Sequence, residues 1–277
     1  MSSAYTHHLP LSIGGQMAVR SDQGPNPWNL HRVTVAEYHA SVSVAICEGD
    51  SVDNDRARAR AHARIAAEVS AVASTQTANA AAGLYAGRSA LETSVIEETD
   101  PPRQPQATRI VGSLMTAVVT YWTVDLCWMG ESVQAFALTG DMALHGLIRP
   151  PAPKRHAIAP VRRQQVWREP PGGGEQDERV LDIRRLLLCS DSLTLPLGTS
   201  DLTRILRRPV PAPATCAELI AAAKQRGALD TLTIAVIDLP HRGATDTEPA
   251  LARQDVPTRG PALHLVPTRG APAMRAA

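Results

Sequence analysis

Two apolar runs that each meet a carboxylate constrain the fold of this chain more than any other feature of its sequence. The first run, 186–189, ends on Ser190 and Asp191, and the second, 232–237, is preceded by Asp230. Short apolar runs bounded by polar, turn-forming residues predict strands that are covered on both faces. The sequence therefore predicts that Asp191 and Asp230 meet at one edge of a sheet.

The length and charge of the chain limit the classes of partner. Its 277 residues suffice for one large domain with a tail, since domains commonly contain roughly 100–200 residues. The formal net charge of +1 provides no global field that favours nucleic acid or an acidic membrane. Arg56, Arg60 and Arg64 recur every four residues, but no aromatic residues interleave with them to stack bases. We therefore expect a solvated helix face, and neither nucleic acid nor a membrane as partner.

The cysteines and the hydropathy pattern predict an intracellular protein with reduced thiols. No pair of cysteines has the spacing of a metal site, and most of them lie within apolar, strand-like runs. No stretch reaches the roughly 18 apolar residues that a spanning helix needs, which predicts a cytoplasmic location. The four cysteines are Cys47, Cys127, Cys189 and Cys216.

The remaining pattern predicts alternating blocks of strands and helices. In chain order these are a strand at 17–24, a strand pair at 33–38 and 41–47, a helix at 56–82, a β meander from 111 with a turn at Gly140-Asp141, a helix at 199–206, a helix opened by a capping box at 215–218, and a last strand from 232.

Three segments lack the composition of a packed core. The N-terminal residues 1–14 and the Pro-, Arg- and Thr-rich tail 240–277 are predicted to be disordered. Within the tail, the sequence Val-Pro-Thr-Arg-Gly occurs twice, at 256–260 and 266–270. Residues 149–178, rich in Pro and Gly, are predicted to form a flexible insertion.

The two carboxylate segments, in this order, resemble the closing motifs of the metal-dependent serine/threonine protein phosphatases of type 2C. In that family a hydrophobic strand ends in Ser-Asp-Gly and an Asp-Asn pair precedes the last strand, where this chain has 190–192 and 230–231. The segment 130–132, Gly-Glu-Ser, is similar to the Gly-Asp-Ser of the family. Glu48 and Gly49 stand where the family has a metal-bridging aspartate and a glycine.

The resemblance implies a fold, a cofactor and a set of ligands. The fold is α+β, a four-layer α-β-β-α sandwich of two antiparallel sheets flanked by helices, over residues 15–239. The cofactor is a pair of Mn²⁺ or Mg²⁺ ions held by carboxylates, with a bridging water as nucleophile. The implied ligands are Glu48, the backbone carbonyl of Gly49, Asp191 and Asp230, with Asp50 as a further candidate.

The chain departs from the family in the segment before these ligands. There the family has an arginine that holds the substrate phosphate, followed by Asn-Glu-Asp-Ala, whose acidic residues help to hold the metals. No acidic residue occurs between Asp22 and Glu37 in this chain. Arg20 and Arg32 remain as candidate phosphate ligands, although neither has the spacing of the family. Glu48 is also one methylene longer than the aspartate of the family, which weakens it as a bridging ligand.

Three interpretations follow. The first is a catalytically weak or inactive pseudophosphatase that acts by binding a phosphoprotein or a regulatory protein, with the Mn²⁺ or Mg²⁺ site weak or lost. The alternative is an active, metal-dependent phosphatase acting on phosphoserine and phosphothreonine. An acidic side chain that reaches Asp191 and Asp230 from the region of Asp22 would favour the alternative. The third is an unrelated α/β fold, which a wide separation of Asp191 and Asp230 would favour.

Overall fold

Two six-stranded antiparallel sheets form the centre of the protein. The computed structural model describes residues 4–24, 29–38, 40–49, 56–75, 79–98, 111–148, 161–168, 180–240 and 262–265. Numbered in chain order, the strands of the first sheet run in the spatial order β1 (Ala4–Pro10), β2 (Gln16–Asp22), β11 (Leu232–Asp238), β10 (Ile183–Ser190), β7 (Val133–Thr139) and β8 (Leu144–Gly146). The second sheet has the order β12 (Ala262–Leu265), β3 (His31–Tyr38), β4 (Ser41–Gly49), β5 (Val111–Thr120), β6 (Thr123–Met129) and β9 (Arg162–Trp167).

Helices cover the outer face of each sheet. The helices are α1 (Arg56–Thr75), α2 (Ala80–Glu98), α3 (Asp191–Thr194), α4 (Thr199–Leu206) and α5 (Ala212–Gln225). An apolar cluster that includes Ile65 and Leu84 joins α1 and α2 to the second sheet. A second cluster, which includes Leu202 and Leu219, joins α4 and α5 to the first sheet. The predicted four-layer α-β-β-α architecture is confirmed.

The inner faces of the two sheets enclose the main core. Alternate residues along each strand point inward, as the period of two along a strand requires. Thus Met17 and Val19 of β2 lie in the core between the sheets, whereas Ala18 packs beneath the helices of the first sheet. The four cysteines are free and buried. Among the described residues, no helix combines the length and apolar character needed to cross a membrane.

The helix predicted at 56–82 is wrong, because two helices share this stretch. α1 ends at Thr75 and α2 begins at Ala80. The Asn79 side chain caps α2, since its Oδ1 accepts a hydrogen bond of 2.8 Å from the Ala82 amide. The Ala80 amide donates to Asp125 Oδ2 at 2.9 Å. Asp125 is distant in sequence, so the helical periodicity contains no sign of this break.

The start predicted for the helix at 215–218 is also wrong. α5 begins at Ala212, so Thr215 lies within the helix and its hydroxyl donates to the Pro211 carbonyl at 3.3 Å. A proline in the first turn defines this start instead of a capping box. Gly227 follows the helix with a φ of +86° and confirms the predicted C-terminal stop.

Each segment predicted to lack structure contributes an edge strand. β1 lies within 1–14 and pairs with β2, β9 lies within 149–178 and pairs with β6, and β12 lies within 240–277 and pairs with β3. These three strands lie within those segments, and the disorder or flexibility of the remaining residues stays a prediction. Arg168, after β9, donates to the carbonyls of Tyr121 and Pro240 at 2.9 Å each. These contacts fix a segment whose composition predicted a loop.

Candidate functional site

The ends of five strands, β3, β4, β7, β10 and β11, meet at one end of the space between the sheets. We call this end the rim and define it by His31, Glu48, Ser132, Asp191 and Asp230. Asp191 directly follows β10, and Asp230 lies two positions before the first residue of β11. The Ser192 hydroxyl donates to the Thr231 carbonyl at 2.6 Å, which joins the two segments. The predicted meeting of the two aspartates at one sheet edge is thus supported by their strands, which are neighbours in the first sheet.

Two serines connect the sheets at the rim. The hydroxyls of Ser113 and Ser132 lie 2.7 Å apart, and the Ser132 amide donates to Ser113 Oγ at 3.1 Å. The Asp191 amide donates to the Ser132 carbonyl at 2.6 Å. The Ser132 side chain also donates a hydrogen bond to Glu48, which lowers the pKa of that carboxyl. Ser132 therefore links the end of β4 to the start of α3.

Glu48 occupies the inner face of β4 and is almost fully buried. Burial raises the pKa of its carboxyl well above the ordinary value, and the charges of Asp191 and Asp230 raise it further. Its Oε1 is buried and accepts no hydrogen bond among the described residues. The opposing effect of the Ser132 hydrogen bond is smaller than that of burial. Burial therefore shifts the protonation equilibrium of Glu48 toward the neutral acid and away from the carboxylate that a metal bridge needs.

His31 is a rim residue that the sequence did not predict. It pairs directly with Glu48 across β3 and β4 and is buried. Burial lowers its pKa to about 4, although the charge of Asp230 acts in the opposite direction. Its Nδ1 is buried without a hydrogen-bond partner among the described residues. A neutral imidazole thus lies in the segment where the type-2C family has acidic residues.

The predicted phosphate ligands Arg20 and Arg32 lie on the outer faces of the sheets. Arg32 donates from Nη1 to the carbonyls of Asn29 and His31 at 2.6 Å and 2.9 Å. It pairs with Cys47, which belongs to the cluster beneath α1. Arg20 shares the face of Ala18, beneath α5. Both side chains therefore point away from the space between the sheets, at whose end the rim lies. Their role in phosphate binding stays a prediction.

Asp22 does not supply the missing acid. Its side chain lies on the same outer face as Ala18, since these residues are four apart along the strand. Its Oδ2 is 2.7 Å from Lys224 Nζ of α5, and its Oδ1 accepts from the Gly24 amide at 3.0 Å. Ser21 takes the inner position and accepts a hydrogen bond of 2.8 Å from Asn29. The feature that would have favoured an active phosphatase is therefore absent from the described residues.

The donor atoms at the rim do not fit a pair of divalent ions as arranged. Mn²⁺ and Mg²⁺ need several oxygen ligands around each ion, most of them charged or from water. Among the residues that the structure describes, no group of three or more His, Cys, Asp or Glu side chains is placed to hold a metal. Gly49 is buried at the end of β4, while Asp50 lies outside the described residues. The predicted metal set Glu48, Gly49, Asp191 and Asp230 stays a prediction.

Sequence reasoning missed the polar residues that connect these acids. Glu131 drew attention as the acid of the Gly-Glu-Ser segment, yet its side chain is exposed, and the neighbouring Ser132 makes the contacts at the rim. Ser113 and His31 have no motif of their own. Their strand positions, opposite Glu48 on β5 and β3, provide the only signal.

His31 predicts a loss of stability in acid. Below pH 6.5 the unfolded chain binds a proton at His31 that the folded chain binds only near pH 4. The free energy of unfolding therefore falls as the pH falls through this window. We expect His31→Gln to flatten this fall in urea denaturation measured with chelator present. His8→Gln, at an exposed site, serves as the control, and an equal flattening in both variants would contradict the assignment to His31.

Comparison with known proteins yields structural relatives only. No protein-family model and no curated protein matches the sequence. The Mycobacterium tuberculosis serine/threonine phosphatase PstP/Ppp aligns with a TM-score of 0.55 at 18% identity, over 87% of this chain and 100% of the other. Staphylococcus aureus Stp1 aligns with a TM-score of 0.57 at 12% identity, over 87% of this chain and 96% of the other.

A third structure gives the same result. The serine/threonine phosphatase of S. agalactiae aligns with a TM-score of 0.57 at 14% identity, over 85% of this chain and 100% of the other. At such identities the similarity establishes the fold alone. The chemistry of the site has to be argued from the residues of this chain. This chain has the fold of the bacterial type-2C serine/threonine phosphatases.

Proposed function

We propose that this chain is a catalytically weak or inactive pseudophosphatase that acts by binding a regulatory protein or a phosphoprotein. The observation that carries this proposal is the ion pair between Asp22 and Lys224, 2.7 Å long, on the outer face of the first sheet. This ion pair holds Asp22 in a structural contact with α5. Asp22 is the acid nearest to the segment in which the type-2C family has its Asn-Glu-Asp-Ala motif. The rim therefore gains no carboxylate from β2.

The residues at the rim support the same conclusion. Catalysis of phosphoryl transfer depends on positioned positive charge at the transferred group. A rim with Asp191, Asp230 and a neutral His31 offers negative charge instead, and the described arginines near it, Arg20 and Arg32, face outward. When bound, a divalent ion would supply the missing positive charge and polarise a water. Among the described residues, Glu48, Asp191 and Asp230 are not arranged as a set of three ligands for such an ion.

Metal titration combined with a turnover assay tests the proposal. We expect calorimetric titration with Mn²⁺ to give a Kd weaker than about 1 mM, at the weak end of protein sites for divalent ions. Hydrolysis of p-nitrophenyl phosphate should equal the buffer blank. The same measurements on Asp191→Ala provide the comparison. Tight Mn²⁺ binding with turnover, both lost in Asp191→Ala, would overturn the proposal and establish an active phosphatase.

A double variant tests whether the two altered rim residues explain weak metal binding. His31→Asp combined with Glu48→Asp places a shorter acid at each of two neighbouring rim positions. If the loss of metal ligands explains the weak activity, this variant should bind Mn²⁺ more tightly than the parent chain. Circular dichroism confirms that the variant is folded before titration. An unchanged Kd in the folded variant would show that the rim fails for a reason other than these two residues.

A further inference from the structure

Two leucines lie exposed beside the rim, one next to each of its aspartates. Leu195 is 80% exposed and Leu229 is 78% exposed, more than any other large hydrophobic side chain among the described residues. Leu229 directly precedes Asp230, and the Leu195 amide donates to the Asp191 carbonyl at 2.8 Å. A single exposed leucine is common on a protein surface. A pair at the two aspartates of one site instead marks an apolar border that a partner can cover.

Hydrogen bonds hold the two aspartate segments in one fixed surface. The buried Ser192 hydroxyl donates to the Thr231 carbonyl at 2.6 Å and lies 2.7 Å from Ser190 Oγ. Ser190 Oγ in turn accepts from the Thr233 amide at 3.1 Å. The start of α3 is thereby joined to the start of β11. A surface that is ordered before binding loses less entropy when a partner docks on it.

The charge at this end of the first sheet is negative. Asp230 is exposed, Asp191 is partly buried, and Glu131, the neighbour of Ser132, is exposed as well. Ion pairs with other acids compensate the two basic residues at the C-terminal end of α5, namely Lys224 with Asp22 at 2.7 Å and Arg226 with Asp201 at 2.8 Å. The acids of the rim therefore attract a positively charged partner.

Two buried polar atoms belong to the same rim. Glu48 Oε1 and His31 Nδ1 have no hydrogen-bond partner among the described residues, and the charge of Asp230 acts on both side chains. A buried polar atom without a hydrogen bond is unfavourable. The rim therefore suits a ligand that brings both positive charge and hydrogen-bond donors.

An arginine side chain fits these features better than a metal ion does. A metal ion needs ligands that converge on one point, and no three acids, histidines or cysteines among the described residues do so. A guanidinium group spreads five donors over a plane and pairs well with carboxylates. Its methylene stem packs on apolar side chains, which Leu195 and Leu229 offer beside the two aspartates.

We propose that the rim docks a partner protein, which inserts an arginine between Asp191 and Asp230 and packs apolar residues on Leu195 and Leu229. This inference rests on the proposed function and names the class of partner, a segment in which an arginine has apolar neighbours. A phosphorylated segment is a poor ligand for this surface, because its charge repels the two carboxylates.

Selection from a displayed library of random peptides tests this chemistry without assuming a sequence. The full chain is immobilised in buffer with chelator, so that no divalent ion occupies the rim. We expect the retained peptides to be enriched in arginine with an apolar neighbour, relative to the unselected library. Enrichment of aspartate or glutamate, or no enrichment of arginine, would overturn the proposal.

Substitutions at the rim measure what each residue contributes to binding of the strongest retained peptide. In fluorescence anisotropy, Asp191→Asn combined with Asp230→Asn should raise the Kd about tenfold, and Leu195→Ser combined with Leu229→Ser about fivefold, as for central residues of an interface. Asp230→Asn alone, at an exposed position, keeps the test valid if a double variant fails to fold. An unchanged Kd in the folded variants would contradict the assignment to the rim.

The opposite end of β10 supplies matched controls. Asp182 and Val180 are each 44% exposed there, as side chain and as residue respectively. Asp182→Asn removes the same charge as a rim substitution, and Val180→Ser removes an exposed apolar group. Both variants should keep the Kd of the parent chain. Increases equal to those of the rim variants would show that the effect is not local, and the proposal would fail.

Other occupants of the rim give different results. A synthetic peptide of residues 241–277 that displaces the selected peptide at lower concentration than the unlabelled selected peptide does would assign the rim to the chain's own tail. A dimer in gel filtration that the Asp191→Asn and Asp230→Asn variant loses would assign it to a second copy. Either result overturns the inference.

The peptide measurements are separable from the test of the proposed function, because they are made with chelator and without turnover. Failure to select arginine in a chain without turnover defeats this inference alone. Turnover with Mn²⁺ that is lost in Asp191→Ala defeats the proposed function.

Discussion

Arg185→Ala is expected to lower the free energy of unfolding by about 3–5 kcal/mol, the range for breaking a buried ion pair by removing one partner. Arg185 of β10 is nearly buried, and its Nε lies 2.5 Å from Asp238 Oδ1. Its Nη1 donates to the Leu206 and Arg208 carbonyls at 2.9 Å and 3.2 Å. Its Nη2 donates to the Val210 carbonyl at 2.7 Å. Alanine would leave a carboxylate and these carbonyls without their donor.

The neighbouring arginine is the control for this prediction. Arg184 has a more exposed side chain, and its Nε lies 4.0 Å from Asp182 Oδ2. Arg184→Ala should cost less than about 1 kcal/mol, as exposed ion pairs contribute little. Urea denaturation of both variants, with equal slopes required for the comparison, provides the measurement. Equal losses in the two variants would show that the contacts of Arg185 do not stabilise the junction between α4 and α5.

Gly130→Ala is expected to lower the free energy of unfolding by about 2–5 kcal/mol. The φ of Gly130 is +86°, a conformation that costs an alanine roughly 1–2 kcal/mol. A Cβ at this position would lie 2.7 Å from Ser113 Cα and closer still to Ser113 Oγ and the Gly112 carbonyl. Such overpacking commonly costs roughly 1–3 kcal/mol more. Because Ser113 bonds Ser132, the substitution should also disturb the rim.

Gly227 separates the two causes, because it has the same φ of +86° and no heavy atom within 4 Å of the Cβ position. Gly227→Ala should therefore show only the conformational cost of about 1–2 kcal/mol. The difference between the two variants in thermal or urea unfolding measures the steric contribution. A difference near zero would mean that the hairpin after β6 moves freely to accommodate the methyl group.

The sequence predicted the central strands well because their burial determines their composition. The run 186–189 and the run 232–237 pair with each other in the first sheet, as their apolar character requires of strands covered on both faces. Asp191 and Asp230 follow from the same argument, since they interrupt apolar runs. The edge strands β1, β9 and β12 were missed. Backbone hydrogen bonds to a partner strand specify such edges, and their own apolar pattern is weak.

The polar network at the rim could not be predicted from the sequence either. Ser113, Ser132 and His31 are ordinary residues on ordinary strands until pairing brings them beside Glu48. The outward direction of Asp22 depends on the strand period together with Lys224, which is far away in the chain. Contacts between residues so distant in sequence depend on the register in which the strands pair. A shift of one residue would move every side chain of a strand to the other face of the sheet.

The pairing of β12 with β3 has a consequence for the behaviour of the protein at high concentration. The uncovered edge of a strand such as β3 offers unpaired amides and carbonyls, which recruit any extended segment of suitable length. Here the segment is the chain's own, and it is tethered by the tail rather than by a tight hairpin. Two molecules that exchange these tails would keep every ladder intact, so domain-swapped dimers are available to this fold at little energetic cost.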